Sequence, residues 1–264
     1  HVINFPIFRW RYDGMNKETG RRMMNVFFRS FCIQSTWNFW RMQNLGFAFA
    51  MIPSIRTLST DRDIRSRMLV RHLQMFNTNP YMSGPIIGSA MRLEEALCSD
   101  GNNPEVDQLK AALMAPYAAI GDSFFWGALR PLAAAVGVLL ALKGFFIAFL
   151  APILIFNPFN LWVRLKGLVE GYRRGKEGIE FIRSMNLLGM ARQLRWVSVV
   201  FLAALALVVS SQTEWPFVQG LDILKRVFLL AVILACLWAL KKGVSAVTIL
   251  YSVSFLLFLV IGLR

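Results

Sequence analysis

Apolar residues with almost no charge dominate the second half of the chain. Residues 131–163 contain a single charge, Lys143, and three later stretches are nearly uncharged. A helix that crosses a bilayer needs about 20 consecutive apolar residues. The pattern therefore predicts a membrane region over residues 131–264, with C-terminal transmembrane helices at 196–213, 226–241 and 243–263.

The first apolar segment, 131–163, is too long for one span and too short for two. One span needs about 20 residues and two need about 40, so this segment falls between them. Lys143 and Gly144 interrupt it. Irregular backbone at membrane depth survives only where it is buried in protein or lines a cavity. We interpret 131–163 as a broken or re-entrant hairpin, and a single tilted span is the alternative.

The region before the hairpin, residues 1–130, has the periodicity of amphipathic helices. Thr19 is expected to cap a helix that runs to Phe31. Its arginines lie off an apolar stripe formed by Met24, Phe27, Phe28 and Phe31. Such a helix either lies in the membrane interface or packs on the surface of the protein. Trp37 and Trp40 favour the interface, since indoles prefer the depth of the headgroups.

Further helices are expected at 34–53, at 61–77 and from 85 onward, with a loop at 99–104. No stretch alternates with the period of two that is typical of a strand. The predicted fold class is therefore an all-α integral membrane protein. Amphipathic helices on the cytoplasmic side precede the hairpin and the transmembrane helices.

Composition supports a lipid environment. The chain is 56% hydrophobic and 17% charged, and its mean hydropathy is +0.50. Soluble domains are about 45–50% apolar and about 25% charged. The net charge of +14 would also suit a nucleic-acid partner, but the cations flank apolar segments, which is the pattern of membrane electrostatics. We expect no nucleic-acid partner.

The basic residues also predict an orientation. Residues 1–71 contain twelve Lys and Arg against four acids, and residues 164–195 contain eight against three. Cytoplasmic segments of membrane proteins carry an excess of Lys and Arg. We therefore expect a multi-pass protein with a cytoplasmic N-terminus and a basic cytoplasmic segment at 164–195.

No catalytic constellation is visible. Cys32, Cys98 and Cys236 stand far apart, which indicates neither a disulfide framework nor a zinc site. The histidines are His1 and His72, and no phosphate-cradling loop or nucleophile elbow occurs. We expect no metal, no cofactor and no nucleophile for phosphoryl transfer. The chain opens on His1, so we expect at least one residue upstream; no start resembling a signal peptide follows.

The most suggestive polar cluster lies just before the hairpin. Asp122, Trp126 and Arg130 recur at i, i+4 and i+8, which places them near one face of a helix, beside Ser123. A carboxylate, an indole and a guanidinium suit a polyhydroxylated ligand. The structural alternative is that Asp122 caps a helix or pairs with Arg130 while Trp126 anchors at the interface.

Three other clusters are polar. Gln43 and Asn44 follow Arg41. Asn77, Thr78 and Asn79 either bind a ligand or end a helix. Glu94 and Glu95 could form an acid pair, but adjacent helical residues point about 100° apart, so Glu94 is expected to face inward and Glu95 outward into solvent.

At these clusters the sequence resembles the IID membrane subunit of mannose-type sugar phosphotransferase systems. The resemblance runs from about residue 20 to the C-terminus, in the family's order. Its stretches are Ser35-Thr36-Trp37-Asn38, Arg41-Met42-Gln43-Asn44-Leu45-Gly46, Arg71-His72-Leu73, Phe76-Asn77-Thr78-Asn79-Pro80, Leu93-Glu94-Glu95, Ile120-Gly121-Asp122-Ser123, Phe125-Trp126-Gly127, Leu129-Arg130-Pro131, Phe156-Asn157, Gly171-Tyr172 and Lys241-Lys242.

The resemblance implies a subunit of the bacterial inner membrane that pairs with a IIC subunit to form a sugar path, in an oligomer of IIC–IID pairs. It also implies that cytoplasmic IIA and IIB proteins carry the phosphoryl group on histidines and that the hexose is phosphorylated as it enters. The candidate substrate-binding residues are Gln43, Asn44, Asn77, Thr78, Glu94, Asp122, Ser123, Trp126 and Arg130.

The sequence departs from the family pattern at a few positions. Ala115 and Ala119 stand where glycines are usual, Tyr117 replaces a small apolar residue, and Trp40 replaces an acidic one. Because glycine permits close backbone approach, packing near Asp122 is expected to change. The departures favour a second hypothesis, a non-transporting IID-like scaffold or sensor. A self-sufficient membrane enzyme is a third.

Overall fold

A computed structural model of the chain describes residues 16–96, 103–212, 222–245 and 248–255. The described residues are mainly helical and include no β-strand, which confirms the predicted all-α class. Two compact units divide within the ninth helix, after Phe201. The helices are α1 (Lys17–Ser30), α2 (Asn44–Leu58), α3 (Arg62–His72), α4 (Ser83–Ala96), α5 (Pro104–Gly121), α6 (Arg130–Leu142), α7 (Ala151–Arg174), α8 (Ile179–Ser184), α9 (Leu187–Gln212) and α10 (Asp222–Lys241).

Within the described residues, three helical stretches are long and apolar enough to cross a membrane: Pro104–Leu142, Phe146–Gly178 and Glu180–Val209. The apolar helix Leu230–Leu240 is shorter. The predicted spans 196–213 and 226–241 coincide with parts of α9 and α10. Of the predicted span 243–263, only 243–245 and 248–255 lie within the described residues, and 248–255 is helical. The first stretch begins well before residue 131, so apolar helix extends into the predicted amphipathic region.

The first helix begins earlier than predicted. Asn16, and not Thr19, is the N-cap of α1, and its side chain accepts a hydrogen bond from the backbone N–H of Glu18. Asn and Thr are both good capping residues, so local sequence did not separate them. The aromatic stripe divides, because Phe27 is buried whereas Phe28 is 62% exposed, and α1 packs mainly on α2. The helix therefore packs on the protein with one face and leaves an aromatic side chain outside.

The predicted helix at 34–53 is right only for its second half, because 44–53 belongs to α2. The chain forms a 3₁₀ turn at Phe31–Gln34 and an irregular loop before α2 begins at Asn44. The loop is closed by reciprocal backbone hydrogen bonds of 2.9 and 3.0 Å between Asn38 and Met42, which has a positive φ of 57°. Helical periodicity carries no signal for such a loop.

Pro53 lies inside α2 and does not end it. A proline lacks the N–H that would donate to the carbonyl four residues earlier. That carbonyl belongs to Phe49, and the guanidinium of Arg29 on α1 donates to it at 3.4 Å. A partner from a neighbouring helix therefore supplies the missing donor.

Helix α3 begins as predicted but ends early. Asp61 caps it by accepting from the backbone N–H of Asp63 at 2.7 Å and of Ile64 at 3.4 Å. The helix ends at His72 and not at Asn77. The next residues turn away because the backbone carbonyl of Phe76 accepts from the N–H of Gln43 at 2.8 Å. Tertiary hydrogen bonding has overridden the local helical pattern.

The centre of the first unit is the close crossing of α4 and α7. Glycines line both sides: a Cβ on Gly84 or Gly88 would overlap the backbone carbonyl of Arg164 or Leu168, respectively, and one on Gly171 would overlap that of Pro85. Small residues let helix backbones approach in this way. The hydroxyl of Ser89 donates to the carbonyl of Gly175 at 2.7 Å across the crossing.

The segment 131–163 forms the predicted broken hairpin. Helix α6 ends at Leu142, the chain reverses at Lys143 and Gly144, and α7 packs back against α6. Gly144 has a φ of +77°, a conformation that favours glycine. The alternative of one tilted span is therefore wrong. The tip of the hairpin is apolar and exposed, with its largest side chains at Phe145, Phe146, Ile147 and Phe149.

Candidate functional site

Two of the candidate residues hold loops together. Gln43 and Thr78 are buried and form reciprocal hydrogen bonds. The side-chain amide of Gln43 donates to the carbonyl of Thr78 at 2.8 Å, and its oxygen accepts from the N–H of Thr78 at 3.1 Å. The hydroxyl of Thr78 also donates to the carbonyl of Met114 on α5, at 3.2 Å. Both polar side chains therefore have partners within the protein.

Asn44 and Asn77 differ in their surroundings. Asn44 is buried; its amide donates to the carbonyl of Leu73 at 2.8 Å, and its oxygen accepts from Asn38 at 2.8 Å. Asn77 is exposed, and its backbone N–H lies 3.2 Å from the sulfur of Met114. Asn44 braces the loop before α2, whereas the side chain of Asn77 is accessible.

Glu94 lies in a buried charged cluster. It is 1% exposed, as predicted for an inward-facing residue, and its carboxylate accepts two hydrogen bonds of 3.1 Å from Arg71. Nε2 of His72 lies 3.0 Å from the same carboxylate, and Lys110 donates to the carbonyl of Arg71 at 3.2 Å. The ring of Phe47 packs against His72 and beneath the ammonium of Lys110. The cluster joins α2, α3, α4 and α5.

Glu95 belongs to a second network. The prediction that it faces solvent is therefore wrong. Glu95 pairs with Arg22 of α1 and accepts from the hydroxyl of Tyr172 at 2.6 Å. Arg22 also donates to Thr57 of α2 at 3.0 Å. The two adjacent carboxylates therefore serve separate partners, so the geometry does not make them a paired acid system.

We expect the cluster around His72 to make stability depend on pH. Burial, together with the nearby charge of Lys110, lowers the pKa of His72 below its usual value of 6.5, although Glu94 opposes the shift. The unfolded chain then binds a proton at a pH where the folded chain does not. The free energy of unfolding should therefore fall as the pH drops below about 6.5, by at most about 1.4 kcal/mol per unit.

Thermal unfolding between pH 7.5 and 5.5 measures this dependence. The variant His72→Gln retains a donor towards Glu94 and does not titrate, so its melting temperature should change less over the same range. Equal slopes for the two proteins would contradict the assignment of the dependence to His72.

Asp122 is held by a residue that is far away in the sequence. The buried side chain of Asn79 donates to its carboxylate at 2.8 Å and accepts from the backbone N–H of Tyr81 at 3.1 Å. Gly121 leaves room for this contact, because a Cβ there would lie 2.5 Å from Cγ of Asn79. Asp122 therefore has a fixed orientation.

The residues after Asp122 form a π-helix, Asp122–Leu129, between α5 and α6. Its last turn closes with the N–H of Arg130 donating to the carbonyl of Phe125, an i to i+5 bond. Phe124 and Phe125 are buried, whereas Asp122, Trp126 and Arg130 are exposed. Segments of this kind occur often at functional sites. The three predicted residues share an exposed side, which we call the polar strip.

One part of the structural alternative for the polar strip is absent from the described residues, whereas the exposure of Trp126 also suits an anchor at the membrane interface. The described part of the chain contains no ion pair between Asp122 and Arg130, and Asp122 does not cap a free helix end because α5 continues into the π-helix. Ser123 is half-buried and lies 3.4 Å from the guanidinium of Arg195 on α9. Trp126 is 41% exposed.

Arg130, the last residue of the polar strip, also lines a cavity of about 380 Å³ between α6 and α7. Tyr81, Phe156 and Asn157 share the lining of this cavity. Sequence reasoning did not select Tyr81 or Asn157 as site residues. Asn157 carried a signal, since it and Asn160 are amides within an apolar run, and Asn157 directly precedes Pro158.

Comparison with known proteins identifies the family. The family model for the mannose/fructose/sorbose IID component of the phosphotransferase system matches residues 18–263. The mannose-specific EIID component of Escherichia coli (strain K12) is 32% identical over 274 residues, covering 94% of this chain and 93% of that protein. The fructose permease IID component of Bacillus subtilis (strain 168) is 29% identical over 261 residues, covering 90% and 95%.

Two solved structures have the same fold. A chain described only as a membrane protein superposes with a TM-score of 0.74 at 29% identity, covering 94% of this chain and 97% of that one. A chain of the mannose transporter ManYZ, solved with microcin E492, superposes with a TM-score of 0.57 at 29% identity, covering 94% and 96%. This chain therefore belongs to the IID components of the mannose/fructose/sorbose family of phosphotransferase systems.

Proposed function

We propose that this chain is the IID subunit of a mannose-type phosphotransferase permease. With a IIC subunit it forms the membrane path for a hexose, which IIA and IIB proteins phosphorylate as it enters. The observation that carries the proposal is the polar strip, which lies exposed at the start of an apolar hairpin in a chain of this family. Polar side chains at membrane depth face water-filled paths or partners, because lipid leaves them unsatisfied.

Asp122 and Trp126 of the polar strip, together with the neighbouring Ser123, have the chemistry that a sugar requires. A carboxylate accepts hydrogen bonds from hydroxyl groups, a hydroxyl both donates and accepts, and an indole face stacks on the apolar face of a sugar ring. Asn79 holds Asp122 at 2.8 Å, which leaves the second carboxylate oxygen for a ligand. The free carboxylate oxygen of Asp122 is therefore already oriented to accept a hydrogen bond from a sugar hydroxyl.

Four of the remaining candidate residues have structural roles. Gln43, Asn44, Thr78 and Glu94 are buried and hydrogen-bonded within the protein. Gln43 and Thr78 fix the segment that continues into Asn79, whereas Asn44 and Glu94 bind Leu73 and Arg71. Asn77, which is exposed, is free to reach the path.

We place the N-terminus in the cytoplasm of a bacterial cell, with the protein in the inner membrane. The excess of basic residues over 1–71 and 164–195 supports this orientation. Phosphoryl donors are cytoplasmic in the proposed scheme, so both basic regions would lie on the side where IIA and IIB act. Several IIC–IID pairs are proposed to assemble into one complex.

The test of the proposed function is uptake dependent on phosphoenolpyruvate, with mannose, fructose and sorbose as substrates. Deleting the gene should abolish uptake of at least one of them. Complementation with Asp122→Asn should restore at most about a tenth of it, because a charge-assisted hydrogen bond in the path is lost. The new amide can still accept from Asn79, so protein abundance should not change.

The matched control is Asp63→Asn, which makes the same change at an exposed residue of α3. It should transport like the unmodified protein. Unchanged uptake of every sugar after deletion would refute the proposed function. Full uptake by Asp122→Asn would refute the role of the polar strip alone.

The alternative of a non-transporting scaffold is not favoured. It depends on altered packing at Ala115, Tyr117 and Ala119, yet the hydrogen bond between Asn79 and Asp122 is present in this chain. Ala115 and Ala119 are exposed on α5, and Tyr117 is buried. Saturable binding of a sugar to the purified complex would contradict the hypothesis of a non-transporting scaffold. Activity of the chain without partners would support the third hypothesis, a self-sufficient enzyme.

A further inference from the structure

The hairpin of α6 and α7 contains two adjacent cavities. The first, of about 380 Å³, is the one lined by Arg130, and the second, of about 590 Å³, extends along α6 towards the turn. Ala134 and Pro152 line both, so the two spaces share a wall and form one groove. We call it the hairpin groove.

The two ends of the hairpin groove differ in chemistry. Every residue that lines the larger cavity is apolar or a glycine, including Val138, Ala141 and Phe149. The smaller cavity has three groups that donate hydrogen bonds: the guanidinium of Arg130, the amide of Asn157 and the hydroxyl of Tyr81. One end therefore suits a polar group, and the other suits a hydrocarbon.

The polar end is cationic. Within the described residues, Arg130 has no ion pair, and neither has Arg164, a second cation behind Tyr81. The guanidinium carbon of Arg164 lies 5.7 Å from the centre of the Tyr81 ring. Arg164 is 3% exposed and donates to the carbonyl of Ser30 at 2.7 Å, but its Nε has no acceptor in the described structure. Two uncompensated cations therefore favour an anion.

The length of the groove fits an acyl chain. Helix α6 has 13 residues, so it is about 20 Å long. The hydrocarbon of one leaflet is about half of the roughly 30 Å core of a bilayer. A sugar or a free phosphate would fill only the polar end and leave the apolar wall uncovered. A molecule with a phosphate at one end and a hydrocarbon chain at the other covers both.

We propose that the hairpin groove binds one phospholipid with an anionic headgroup. Its phosphate lies at Arg130, Asn157 and Tyr81, and one acyl chain runs along α6 past Val138 and Ala141. This site goes beyond the sugar path. It assigns Arg130 to the lipid and leaves Asp122, Ser123 and Trp126 to the sugar. The hairpin is thereby packed on its open side by a lipid that exchanges slowly with the bilayer.

The test is native mass spectrometry of the complex purified with its membrane partner, delipidated and titrated with dioleoyl phosphatidylglycerol. One saturable molecule per chain is expected, with an affinity at least about tenfold higher than that of dioleoyl phosphatidylcholine, because the site has a net positive charge. Arg130→Gln should weaken the binding of phosphatidylglycerol about tenfold or more. Arg130→Lys, which keeps the charge, should lose less.

Lys143→Gln is the matched control. It also removes one cation from the hairpin, but Lys143 is exposed at the turn and lines neither cavity, so binding should not change. A second variant, Val138→Trp, fills the apolar end while leaving Arg130 in place and should remove the bound lipid. Co-purification of the partner subunit checks that each variant is folded.

Three outcomes would overturn the proposal. The first is equal loss of binding in Arg130→Gln and Lys143→Gln, which indicates a nonspecific annulus of lipid. The second is full binding by Val138→Trp, which indicates that no acyl chain enters the groove. The third is displacement of the lipid by inorganic phosphate or a hexose phosphate at low millimolar concentration, which indicates an anion site without a lipid. Sugar uptake is measured in the same variants. Because lipid binding and uptake are then known for each variant, loss of the lipid is distinguished from failure of the sugar path.

Discussion

Replacing Gly88 with leucine is expected to remove folded protein from the membrane. A Cβ at this position would overlap the backbone carbonyl of Leu168 and lie 2.8 Å from the backbone nitrogen of Tyr172. Overpacking a core typically costs about 1–3 kcal/mol when side chains can shift. Here the obstructing atoms are backbone, so α4 and α7 must separate, and the cost should exceed that range. Gly88→Ala should already be destabilised.

Size-exclusion chromatography of the detergent extract, with a fluorescent fusion, measures the folded fraction. Ala112→Leu is the control, because it introduces the same side chain at an exposed position of α5. It should give a single peak of normal height, whereas Gly88→Leu should give aggregate or nothing. Equal peaks for the two variants would show that the crossing is looser than the structure indicates.

The second large effect is expected at Glu94. Glu94→Ala should lower the free energy of unfolding by about 3–5 kcal/mol, because it removes the buried carboxylate that accepts two hydrogen bonds from the guanidinium of Arg71. Arg71 is 7% exposed, so water cannot replace the lost partner without opening the structure. Thermal unfolding of the purified protein measures the loss.

Glu105→Ala is the matched control for this loss. Glu105 pairs with Lys176 at 2.9 Å, but both side chains are substantially exposed. Such pairs contribute less than about 1 kcal/mol. If Glu94 contacts sugar directly, as the sequence alone also allowed, then Glu94→Ala will retain its stability and lose sugar affinity instead. The two roles are thus separated by one pair of measurements.

Local signals in the sequence predicted those features that depend on neighbouring residues. The reversal at Lys143 and Gly144 was visible because a charge and a glycine interrupt an apolar run, and the start of α3 was predicted within one residue because helical periodicity begins there. The alignment of Asp122, Trp126 and Arg130 followed from helical spacing. Each of these features lies within about two helical turns of the residues that specify it.

Features that depend on distant partners could not be predicted in this way. Glu94 binds Arg71, which lies 23 residues away in the sequence. Asp122 binds Asn79, which lies 43 residues away. Nothing in the local pattern distinguishes a glutamate with a buried arginine from one on a solvated face. The first half of the predicted helix at 34–53 failed for the same reason, since the loop in its place is closed by Asn38 and Met42 and docks on Phe76. The π-helix was not predicted either, since the spacing of Asp122, Trp126 and Arg130 was interpreted as that of an α-helix.

The crossing of α4 and α7 has a consequence for biosynthesis. Ser89 and Gly171, which meet at the crossing, are separated by 82 residues. A bacterial ribosome that adds roughly 5–20 residues per second needs roughly 4–16 s to make that interval. During this time α4 has left the ribosome, but the helix that buries its glycine face does not yet exist. The glycine face of α4, the most closely packed surface of the N-terminal half, therefore stays uncovered until the hairpin has been inserted.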